Sequence, residues 1–153
     1  MHPRGFSRER AVRHHTKDKG DVGVLKAQAD LTVQGYLVLH PMTEHAPFDV
    51  VIYKAGRFRR VQVRYRSLKA NGCVQVGLRS CWNDRHGTHT RLINRQEVDL
   101  VCAYCPETDQ CYYFRTDVPN RTEVWLRVRP SGNRPYRSAA IHLAENYRKV
   151  PEE

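Results

Sequence analysis

Residues 48–66 read FDVVIYKAGRFRRVQVRYR, and this stretch decides the fold. Two runs rich in β-branched residues, with apolar side chains in alternation, flank Ala55-Gly56, a dipeptide that signals a turn. A two-residue loop there sets Lys54 opposite Arg57 and, counting back along both strands, Asp49 opposite Gln62. Directly opposed residues of an antiparallel pair share a face and lie close enough to touch. Arg64, two residues beyond Gln62, falls on that same face. The pattern gathers a carboxylate, an amide and a cation at the open end of one hairpin. A three-residue loop would slip the register and turn Asp49 to the other face, so the cluster depends on the turn.

Before the hairpin, residues 1–18 form a basic arm; residues 1–19 hold six Lys or Arg against two acids. A helix is expected over 20–35, where Val22, Leu25, Ala29 and Val33 recur at helical spacing and Gly35 is placed to end it. Asp18 is positioned to cap this helix, with Asp21 at the third position of a capping box. A short strand over 36–39 and a turn-rich loop, HPMTEHAP, lead into the hairpin.

Beyond the hairpin, residues 73–79 alternate again and read as a third neighbour in the same sheet. Residues 80–96, with Trp82, His86 and His89, read as a polar loop too long for an idle connection. Such a loop either reaches a DNA groove or tethers strands. Strands follow over 98–104 and 111–115, joined by a turn at 106–109. Another covers 123–129, with Val124, Leu126 and Val128 inward and Trp125, Arg127 and Arg129 outward. A Pro- and Gly-bearing basic loop runs to Arg137, and a short helix over 138–148 closes the chain. This order predicts an α+β fold, an N-terminal helix packed on a mostly antiparallel sheet, with residues 19–151 as one domain.

Twenty-six Lys and Arg against sixteen acids give a net charge of +10 and an isoelectric point near 9.7. An Arg-rich excess of this size fits a polyanion, because the guanidinium fork matches phosphate oxygens. Residues 57–69 hold six Lys or Arg and no acid, and residues 121–137 hold five Arg and one acid. Arg66, Arg127, Arg129, Arg134 and Arg137 are the expected contacts to the DNA backbone. No apolar run approaches the ~20 residues that span a bilayer, and no apolar segment follows the basic N-terminus as in a secretory signal. A cytoplasmic protein with reduced thiols is expected.

Two chemistries compete at the hairpin. Asp49 and Gln62 offer oxygens for a hard cation such as Mg²⁺, completed by waters and a substrate phosphate. Alternatively the trio is a cross-strand hydrogen bond with Arg64 as an ion-pair partner. The five cysteines are Cys73, Cys81, Cys102, Cys105 and Cys111. Cys102-x-x-Cys105 has the spacing of a zinc knuckle, which Cys81, His86 and His89 could complete. Yet Cys102 falls in an apolar strand and there is no second C-x-x-C, so these read as buried thiols rather than zinc ligands.

The run EHAPFDVVIYKAGRFRRVQVRYRS, with KGDVGVLKAQADL before it and VDLVCAYCPETDQCYYF after it, resembles the group I intron-associated endonucleases of the PD-(D/E)XK superfamily. The similarity spans about residues 17–151. It implies a restriction-endonuclease-like core and Mg²⁺-dependent cleavage of double-stranded DNA. Asp49 falls on the motif's Asp, Gln62 on the Gln that stands for its variable acid in homing endonucleases of this type, and Arg64 on its Lys. The implied metal ligands are Asp49, Gln62 and Val63. The sequence departs from the family at Arg64, and at Val24, where some relatives carry a Glu on the first helix. Asp21, one turn earlier, and Glu44 are candidates to supply that acid. One site cuts one strand, so a double-strand break calls for a homodimer or a dimer of dimers. A binding protein that keeps the nuclease fold but has lost cleavage at Arg64 is the alternative.

Overall fold

A computed structural model describes residues 15–117, 122–130 and 141–152. In chain order these form helix α1 (His15–Val33) and strands β1 (Leu37–Leu39), β2 (Val50–Lys54), β3 (Arg57–Tyr65), β4 (Cys73–Gly77), β5 (Arg79–Asp84), β6 (Gly87–Leu92), β7 (Leu100–Cys105), β8 (Gln110–Arg115), β9 (Glu123–Arg127) and β10 (Ile141–Leu143). A 3₁₀ turn, Ala144–Tyr147, follows. The fold is α+β, with one main helix on a mixed sheet.

The main sheet has the order β1-β2-β3-β7-β8; β3 and β7 run parallel and the other neighbours antiparallel. β7 is buried at all six positions, so its sequence, LVCAYC, reads as one apolar run without alternation. Leu100, Cys102 and Tyr104 enter a core under α1, while Val101, Ala103 and Cys105 enter a second core under a three-stranded sheet, β10-β9-β4. The molecule is therefore layered as helix, five-stranded sheet, three-stranded sheet.

The central hairpin closes as the turn dictates. Lys54 pairs with Arg57, and the ladder runs to Val50 opposite Val61. Ala55 and Gly56 both have positive φ, 51° and 83°, the conformation whose twist matches paired strands. Gly35, at φ 83°, ends α1: Tyr36 N bonds Leu31 O at 3.1 Å and Gly35 N bonds Thr32 O at 3.0 Å, a Schellman closure.

Several expectations are corrected. The helix is already formed at His15, ahead of residue 20, which puts Asp18 and Asp21 inside it instead of at its cap. Its buried face is Gly23, Ala27 and Leu31, and the periodic stripe of Val22, Leu25, Ala29 and Val33 faces solvent. Small residues won because the helix lies close on β3; a Cβ on Gly23 would sit 3.5 Å from Val63 Cγ1 and 3.6 Å from Tyr65 Cβ. β4 is not a neighbour in the main sheet but pairs with β9. Residues 80–96 are not a loop: β5 and β6 form a separate two-stranded ribbon. The expected helix over 138–148 is a strand at Ile141–Leu143, parallel to β9, then the 3₁₀ turn. An open strand edge offers hydrogen bonds without the nucleation cost of a short helix. Among the described residues, no helix is long and apolar enough to cross a membrane.

Candidate active site

Asp49 lies one residue before β2, where the ladder ends. Its amide donates to Val61 O at 3.0 Å, so the regular register stops at Val50 opposite Val61, and the carboxylate turns inward. Oδ2 accepts the Val63 amide at 2.6 Å. On β3, Arg64 Nη2 donates to Gln62 Oε1 at 3.1 Å and to Arg79 O at 3.4 Å. All three side chains are half-buried. Burial raises the Asp49 pKa above the ordinary carboxylate value; the Val63 amide and the Arg64 charge pull it back only in part. Desolvation together with a specific charge partner is the setting in which functional carboxylates are held.

The donor set suits a hard divalent cation. Asp49 Oδ1 has no hydrogen bond among the described residues, Gln62 adds an amide oxygen, and Val63 can add only its main-chain carbonyl. Few protein oxygens, with waters and phosphate completing the shell, is how Mg²⁺ is usually held. Zinc chemistry fits poorly: Cys102 and Cys105 are buried in different cores on opposite faces of β7. Burial raises the thiol pKa of both. Among the described residues, no three His, Cys, Asp or Glu side chains cluster as a metal site.

A cleft beside the site is lined by Lys19 and Gly20 of α1, by Val63, Arg64, Arg66 and Lys69, and by Gln75 and Glu123 of the second sheet. It is basic apart from Glu123, whose carboxylate accepts Gln75 Nε2 at 2.6 Å and Trp125 Nε1 at 2.8 Å. Arg66 thus joins Arg64 as expected. Arg127 and Arg129 do not; they line a separate groove with Tyr112 and Glu145, and Arg127 reaches Asn71 O. Arg134 and Arg137 lie outside the described residues. Asp21 is exposed, two helix positions from Gly23 and so on the far side from β3. Glu44 is exposed and lines a depression with Gln62, Arg91 and Glu97. Lys19 and Lys69 were missed. Lys19 stands four residues before Gly23, so the true packing face of α1 would have found it.

The profile of the PD-(D/E)XK endonuclease family matches residues 14–150, and the chain belongs to that family. Among solved structures, a bacterial homing endonuclease, I-Ssp6803I, superposes with a TM-score of 0.68 over 88% of each chain, at 23% sequence identity. That similarity is one of fold. No curated protein matches the chain. The chain is a nuclease by family.

Proposed function

We propose that this protein is a Mg²⁺-dependent endonuclease of the intron-homing type, cutting double-stranded DNA at a long specific site as a homodimer or dimer of dimers. One observation carries the reading: a half-buried Asp49, anchored by the Val63 amide, feels the charge of Arg64, which bonds Gln62 and lines a basic cleft. The cation, when bound by Asp49, Gln62 and the Val63 carbonyl, supplies the charge that activates water and offsets charge on phosphate. The Val63 amide fixes the Asp49 carboxylate in place, so its free oxygen needs no reorientation. Arg64 contacts the scissile phosphate and stabilises its developing charge. It is not a base, because a guanidinium holds its proton at any working pH. Arg66, Lys69 and Lys19 hold the strand in register along the cleft. The name of the similarly folded protein, a homing endonuclease, supports the homing reading.

The test is cleavage of a plasmid pool of randomised inserts with Mg²⁺, read by sequencing the cut ends. Asp49→Ala should lose about a thousandfold in rate, since several kcal/mol of charge stabilisation go with the metal. Cleavage by that variant at the wild-type rate would overturn the site.

A second reading, a DNA-binding protein without cleavage, rests on Arg64. Arg64→Lys distinguishes the two. An enzyme slowed by its guanidinium should gain about tenfold or more from an ammonium, which is 1.4 kcal/mol; a binder stays silent in both forms.

A further inference from the structure

Strand β6 enters neither core, yet the β5–β6 ribbon rises from the candidate active site. Its first residue, Arg79, offers its carbonyl to Arg64 at 3.4 Å, and its last turn of chain, Arg91 and Leu92, lines the depression that holds Gln62. The base is fixed: Ile93 N bonds Leu78 O at 2.9 Å, and Leu78 N bonds Thr122 O at 2.8 Å. Above that base, all of β6 except His89 is exposed. A two-stranded ribbon that pairs with neither larger sheet contributes little to stability. Its charge is three Arg against one Asp over residues 79–92, with His86 and His89 besides.

The tip is preset rather than loose. Asp84 Oδ1 accepts the His86 amide at 2.7 Å and the His89 ring Nε2 at 2.9 Å, and Arg85 Nε reaches His86 Nε2 at 3.0 Å. Gly87, at φ 123°, gives the turn a conformation that a side chain would strain.

Resting on the nuclease reading above, we propose that the β5–β6 ribbon enters the major groove and reads bases, with Arg85 and His86 at its tip as the specificity residues. The dimensions agree. The major groove is about 12 Å wide and admits a two-stranded ribbon. Six residues per strand extend about 20 Å at ~3.3 Å each. Measured from Arg64 at the scissile phosphate, that reach covers about five to six base pairs at 3.4 Å per step. Arginine is the side chain best suited to guanine edges.

The full-length protein is incubated with a pool of randomised duplexes without divalent metal, and the retained DNA is sequenced. An Arg85→Ala/His86→Ala variant, altered only at exposed positions, should lose preference at one block of about three to five base pairs while the other selected positions persist. Two results overturn the assignment: a consensus unchanged from the parent, or uniform weakening at every position, which marks a backbone clamp. A parent that selects no consensus overturns it as well; cleavage of the same pool with Mg²⁺ then shows whether the nuclease reading stands without it.

Discussion

Among the described residues two hairpins have two-residue turns, and they are built on opposite principles. β2–β3 lies inside the main sheet, with Val50, Ile52 and Val61 buried, and closes on two positive-φ residues. β5–β6 belongs to neither larger sheet and closes on Arg85-His86, neither of which has positive φ, with an aspartate side chain bracing the turn. The first hairpin has its register fixed by burial, since a one-residue slip would expose its core face. The second relies on main-chain pairing and a few polar ties. The proposed chemistry, which needs positional accuracy, is placed on the first. Recognition, which must adapt to a groove, is assigned to the second.

That contrast can be broken in three ways. Ile52→Ala should cost about 2–5 kcal/mol through a core cavity, whereas Thr88→Ala on the ribbon should stay within about 0.5 kcal/mol. Denaturant midpoints at constant slope measure both, and equal costs would remove the distinction.

Charge sharpens it further, because two aspartates brace β3 with opposite signs. Asp99 bonds Arg60 through both oxygens at 2.9 Å and through the Arg60 amide at 2.7 Å. The Arg60 side chain lowers its pKa. Its contribution is therefore present above the ordinary carboxylate range and is lost as pH falls through the depressed value. Asp49 has a raised pKa, caused first by burial. Its ionisation costs stability, a cost that appears as pH rises through the ordinary carboxylate range and is complete above the raised value. Melting curves from pH 3 to pH 8 should show Asp99→Asn less stable than the parent near neutrality. Asp49→Asn should match or exceed the parent there. Both differences should shrink at low pH. An Asp49→Asn protein that loses stability at neutral pH would mark the residue as structural.

A gain of stability is expected at the turn. A left-handed residue with a side chain costs about 1–2 kcal/mol, of which glycine's unfolded-state entropy returns about half. Ala55→Gly should thus stabilise the fold by about 0.5–1 kcal/mol, read from the same midpoints.

The readable parts of the sequence were those where one physical cause acts alone. Ala55-Gly56 set the turn, and the ladder followed to Val50 opposite Val61. Gly35 ended the helix because few other residues tolerate its conformation. The apolar stripe from Val22 to Val33 pointed to a helix but to the wrong face. Periodicity marks apolar positions, whereas a close helix–strand approach selects glycine and alanine. Alternation in β4 announced a strand without naming its partner, and the β5–β6 ribbon carried no apolar period at all. The pairing of Gln62 with Arg64 on one face of β3 follows from their spacing of two, and Arg64 does bond Gln62. That Arg127 and Arg129 line a different groove from Arg64 was not legible, because charge density along a chain says nothing about which groove a strand faces.

β7 has one further consequence. A strand buried at every position has no silent side: any change in it is felt by the helix layer or by the outer sheet. Drift in such a molecule is channelled elsewhere, into the outer face of α1 and the exposed ribbon. The scaffold that carries Asp49 can then hold its shape while those outer surfaces are rewritten.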